Sequence, residues 1–207
     1  MSVSTRTRTT ASSRPNTRWR VVDIVTASVL GVASGVIFWA WGLAWTPLSG
    51  LLTFSPGLEG ILSGGWLFAG VLGGLVVRKP GAALYTEIIA AVVSMLVGTQ
   101  WGFSTLIWGI FEGLGAEIVL ALFLYKSWRL VTAILAGAGA GAVTGFLDTN
   151  FSSVAAYAFE FKVVYFVASV VSGAVIAGVL SWLAVRGLAA TGALSRFAAG
   201  RTTQNRV

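Results

Sequence analysis

Cysteine and histidine are both absent from the 207 residues of this chain. Without cysteine there are no disulfides, no thiolate metal ligands and no thiol nucleophile. Without histidine there is no imidazole general base, so a serine–histidine intramembrane hydrolase is excluded. Aspartate occurs only twice, as Asp23 and Asp148, each near the end of an expected span. That spacing argues against an intramembrane aspartyl dyad. No Walker A pattern is present, so the chain does not hydrolyse ATP by that device. Charge is scarce as well. Charged residues make up 10% of the chain, against about 25% in soluble domains. Hydrophobic residues make up 56%, and the mean hydropathy is +0.85. This is the composition of a polytopic membrane protein, with one compact bundle as the expected domain. No cofactor or metal is expected.

The net charge of +7 would suggest nucleic acid in a soluble protein. Here the basic residues sit at span ends and in the tails, which points to membrane topology and anionic headgroups rather than nucleic acid. The N-terminal run MSVSTRTRTTASSRPNTRWR is polar and basic, and the first apolar stretch has full span length, so a retained helix is expected rather than a cleaved signal. Residues 1–19 and 187–207 are expected to be cytoplasmic tails, disordered at the N-terminus and over GRTTQNRV. Between them, residues 20–186 are expected to form six transmembrane helices.

The expected spans are 21–43, 61–77, 81–97, 105–125, 130–147 and 161–185. Asp23 should cap the first. TPLSGLLTFSPGLEG and residues 148–160 should be loops, and GTQWGFS a tight connection. Arg18/Arg20, Arg78/Lys79, Lys126/Arg129 and Arg186/Arg196 all fall on one side, while Glu59, Asp148 and Glu160 fall on the other, with Lys162 the lone basic residue at that margin. The positive-inside rule then puts both termini in the cytoplasm. Glycine, at 26 residues, supplies close-packing stripes. Ala27, Gly31 and Gly35 stripe the first helix, and such a stripe serves either internal packing or docking to another membrane protein.

Three of the seven acids lie inside apolar spans: Glu87, Glu112 and Glu117. A charge at mid-bilayer is expensive, about 2.5–3.5 kcal/mol on insertion scales, so such residues face cavities or partners. At 100° per residue, Trp101, Thr105, Trp108 and Glu112 share one face of the fourth helix if that helix starts early enough to include Trp101. Glu117 lies about 140° from Glu112 on that geometry, so one acid is expected to face a ligand and the other a neighbouring helix. Depth places Glu87 near mid-membrane, with Gln100 and Trp101 above it. Trp39, Trp41, Trp45, Trp66, Trp101 and Trp108 gather towards the outer side. They fit either an interfacial belt or an aromatic cage for a flat ring or a cation.

The segments DIVTASVLGVASGVIFWAW, GGWLFAGVLGGLVVRKPGAALYTEIIAA, GTQWG and GIFEGLGAEIVLAL resemble the YkoE family. These are substrate-binding (S) components of energy-coupling factor (ECF) transporters, associated with thiamine or its hydroxymethylpyrimidine precursor. The resemblance covers most of residues 20–186. It implies a six-helix bundle that captures a vitamin near the outer face and docks on a membrane coupling protein driven by two ATPase subunits. It makes Ala27, Gly31 and Gly35 the docking candidates. Glu87, Gln100, Trp101, Trp108, Glu112, Glu117, Trp39 and Trp66 are the candidates for ligand binding. The family commonly carries Gln where this chain has Glu112, a departure that leaves the ligand chemistry open. The residues also admit a proton-coupled carrier or channel with Glu87 and Glu117 as relays, or a scaffold whose acids only join helices.

Overall fold

The computed structural model describes residues 17–195, 197, 199 and 200. The disorder expected for residues 1–16 and 201–207 lies outside the described residues. Every regular element among the described residues is helical. They are α1 (Val21–Gly50), a 3₁₀ turn (Leu58–Leu62), α2 (Gly64–Val77), α3 (Ala82–Val97), α4 (Ser104–Leu122), α5 (Leu130–Phe151), a second 3₁₀ turn (Ser153–Ala156) and α6 (Phe159–Ser172). A π-helical stretch (Gly173–Leu180) then leads into α7 (Ser181–Ala190). Five segments are long and apolar enough to cross a membrane: Val21–Gly50, Leu58–Val77, Ser104–Leu122, Leu130–Phe151 and Phe159–Ala190. Ala82–Val97 is a shorter apolar helix. The all-α architecture of about six spans is thus present.

α1, α3, α4, α5 and the α6–π rod pack in sequence, and α2 lies in the middle, touching most of them. α2 is the most buried span because its glycines admit neighbours. Gly70, for example, faces the Glu87 side chain, and a Cβ there would lie 3.0 Å from Oε2. At one end of the bundle, Asp23 accepts bonds from the Arg20 backbone N–H and guanidinium and from Lys79. Capping by Asp23 was expected; the ion pair with Lys79 was not. Trp19 Nε1 donates to the Pro80 carbonyl (2.9 Å). Leu194 and Phe197, each 5% exposed, join the same core, so packing extends beyond residues 20–186.

Three expectations need correction. α1 runs to Gly50, with Pro47 inside its last turn, so the first part of the expected loop is helical. α5 runs to Phe151, so Asp148 is a helical residue rather than part of a loop. The Ala27–Gly31–Gly35 stripe is buried within the chain. Cβ atoms built on Gly31 and Gly35 would press on Ile89, Val93 and the backbone of α3. The stripe therefore seats α3, and it offers no surface for a coupling protein.

Candidate ligand-binding cavity

A cavity of about 420 Å³ opens at the end of the bundle opposite Asp23 and Lys79. That size falls within the roughly 300–1,000 Å³ of typical small-molecule sites. Its walls come from α1, α2, α3, α4, α5, α6 and the chain around the second 3₁₀ turn.

Aromatic rings form one side. Trp66 is the hub, with ring centroids 5.4 Å from Trp45 and 5.3 Å from Trp101, edge-on or tilted. Its Nε1 donates to the Phe38 carbonyl at 3.2 Å, which fixes the indole between α1 and α2. The helical spacing of Thr105, Trp108 and Glu112 delivers those three to the cavity wall, and Trp101 joins them from the turn that precedes α4. Trp108 is held by a 2.9 Å bond from Nε1 to Asp148 Oδ1.

Three carboxylates occupy the other side. Glu87 is 1% exposed. Its Oε2 accepts the Gly70 N–H at 2.5 Å, and its Oε1 is buried with no hydrogen-bond partner. Thr105 Oγ1 is likewise buried and unpartnered. Glu112 Oε1 accepts from Thr144 Oγ1 at 3.0 Å. Asp148 Oδ2 accepts from the Tyr165 hydroxyl at 2.6 Å. Glu87, Glu112 and Asp148 all line the cavity. Among the described residues no lysine or arginine lines the cavity. Such a wall suits a ligand that brings hydrogen-bond donors, positive charge or both.

The candidates divide. Glu87, Trp66, Trp101, Trp108 and Glu112 meet at the cavity. Trp39 and Gln100 instead border a separate hollow of about 200 Å³, where Gln100 Nε2 donates to the Gly42 carbonyl. Glu117 is at the other end of α4. Its carboxylate accepts the backbone N–H groups of Gly81 (2.6 Å), Ala83 (2.9 Å) and Leu84 (3.2 Å), and the Tyr125 hydroxyl (2.7 Å). It caps the start of α3 rather than facing the cavity. Sequence reasoning missed Asp148, Thr144 and Tyr165 as wall residues. One signal was available: GFLDTNF contains no helix breaker after Gly145, so α5 had reason to continue past Asp148, one turn beyond Thr144.

A family described as "ABC-type cobalt transport system, permease component" matches residues 22–143. The "Putative HMP/thiamine permease protein YkoE" of Bacillus subtilis (strain 168) is 34% identical over 183 residues, covering 88% of this chain and 91% of that protein. A solved structure, "Crystal structure of an S-component of ECF transporter", superposes with a TM-score of 0.86 at 33% identity, covering 91% of this chain and 95% of that one.

Proposed function

The chain belongs to the family of ECF-transporter S components that includes the YkoE protein, multi-pass proteins of the plasma membrane, and from that premise we propose that it captures thiamine or hydroxymethylpyrimidine from the outer side for ATP-driven import. One observation carries the reading: the cavity combines clustered, edge-on or tilted indoles with three carboxylates and, among the described residues, no basic side chain. Thiamine presents a flat aminopyrimidine with an amino donor group and a thiazolium cation, and the wall suits both. The precursor presents the pyrimidine alone. A cobalt ion is a poorer match, because the chain offers no histidine or cysteine ligand.

Orientation follows from charge. Arg78 lies over Trp128 and Arg186 over Trp182, and Lys79 pairs with Asp23, all at the end away from the cavity. With basic ends in the cytoplasm, the cavity mouth faces outwards. The end of the second 3₁₀ turn is tethered to the first, since the Tyr157 hydroxyl donates to Glu59 Oε1 at 2.8 Å. Release to the cytoplasm requires that the bundle turn within the membrane when a coupling protein and its ATPase subunits move it. The S component itself catalyses nothing.

Uptake of labelled thiamine and hydroxymethylpyrimidine into vesicles, with and without the coupling module, tests this. Saturable uptake that stops when the ATPase subunits are inactivated is the expected result. Uptake that persists without those subunits and collapses with a protonophore would establish a proton-coupled carrier instead.

A further inference from the structure

We infer that Asp148 is the specificity-determining residue of the cavity, favouring ligands that carry a permanent positive charge over uncharged ones of the same ring type. The inference rests on the capture reading above and assigns its two ends.

Depth comes first. At 1.5 Å per residue, Asp148 lies about 5 Å from the outer end of α5, Glu112 about 12 Å from that of α4, and Glu87 about 15 Å from that of α3. The three carboxylates thus descend in that order from the mouth. Their surroundings differ in kind. Both Asp148 oxygens are engaged by neutral donors, the Trp108 indole N–H and the Tyr165 hydroxyl. These orient the carboxylate and stabilise its negative charge without cancelling it. Among the described residues no lysine or arginine pairs with Asp148. A carboxylate at a cavity wall with oriented donors and no counter-charge is complementary to a cation brought by the ligand. The Trp108 ring, pinned to the same carboxylate, adds an aromatic surface beside that cation.

Glu87 is built for something else. One oxygen is buried and unpartnered in the deepest part of the wall, and the unpartnered Thr105 hydroxyl lies nearer the outer end of α4. Buried polar atoms without partners are rare in native folds, and here they mark where a ligand N–H group completes the bonding. A ligand therefore lies lengthwise, with its amino-bearing ring at Glu87 and its cation at Asp148. Thiamine engages both ends and hydroxymethylpyrimidine only the deep one.

Equilibrium dialysis of labelled thiamine and hydroxymethylpyrimidine against the purified full-length chain and Asp148→Asn tests this. Asparagine keeps an acceptor for the Trp108 N–H and removes the charge, and its NH2 group then donates to the Tyr165 hydroxyl, which turns from donor to acceptor. The expected outcome is thiamine binding weakened at least ~10-fold, about 1.4 kcal/mol, with the precursor changed less than about twofold. Parallel loss of both ligands, or no change in either, would overturn the inference. The unaltered chain gives a second test that needs no variant: thiamine should bind at least ~10-fold tighter than its precursor, and equal affinities would overturn the assignment while leaving vitamin capture intact. If the unaltered chain binds neither ligand, the capture reading fails, and this inference with it.

Discussion

Replacing Glu117 should damage the fold and leave the cavity alone. α3 begins at Ala82, and its N-cap residue, Gly81, supplies no side chain to satisfy the first N–H groups. The Glu117 carboxylate does so from α4, taking three backbone donors and the Tyr125 hydroxyl. Its negative charge also sits at the positive end of the α3 dipole. Capping residues contribute about 0.5–2 kcal/mol, and each buried donor left unpaired costs about 1–3 kcal/mol. Gly81 and Leu84 are only partly buried, so water offsets some of the loss. Glu117→Ala should therefore destabilise the chain by about 2–4 kcal/mol. At roughly 2–4 °C per kcal/mol for a chain this size, Tm should fall by about 4–16 °C. The assay is thermal unfolding of purified protein in detergent, with thiamine binding measured on the fraction that remains folded. Affinity of that fraction should stay within about twofold. An unchanged Tm with abolished binding would refute the reasoning and return Glu117 to the ligand site.

Other outcomes follow from the same geometry. Trp101→Ala should weaken thiamine binding by about 0.5–2 kcal/mol, the range of a cation–π contact, measured by equilibrium dialysis; unchanged affinity would mean that the tryptophan cluster is only an interfacial belt. Gly137→Val should lower the yield of folded protein sharply, because a Cβ there would overlap the Gly173 carbonyl of the π stretch; size-exclusion chromatography of the variant would show this, and a normal elution profile would contradict the packing. The bond to Glu59, followed by burial, raises the Tyr157 phenol above its ordinary value. Its contribution to stability is then complete below about pH 10 and lost as pH climbs through the raised value. The difference in phenolate absorbance between the unaltered chain and Tyr157→Phe should appear only above about pH 10; appearance below that value would mean the tether is broken in solution.

How much of this was legible in the sequence depended on the kind of signal. Long apolar runs and basic span ends located the helices, because burial in lipid leaves little alternative. The period of α4 brought Thr105, Trp108 and Glu112 to one wall and turned Glu117 away, as angular spacing alone suggested, whereas Trp101 reaches that wall from the turn before α4. Glu117 could not be assigned a partner in advance, since the donors it satisfies belong to another helix whose start depends on packing. The small-residue stripe on α1 was ambiguous for a related reason: small residues permit close approach but do not name what approaches. Here it is α3, against Gly31 and Gly35. Asp148 was hidden because an acid near a span end reads as a loop residue. Its place in the wall depends on Trp108 and Tyr165, which reach it from two other helices.

The most direct test of capture is isothermal titration calorimetry of the purified chain, without coupling protein or nucleotide, against thiamine and hydroxymethylpyrimidine. Saturable one-to-one binding of at least one of them, weakened in Glu112→Gln, is the predicted result. No heat of binding with either ligand, under conditions where the chain remains folded, would contradict the assignment.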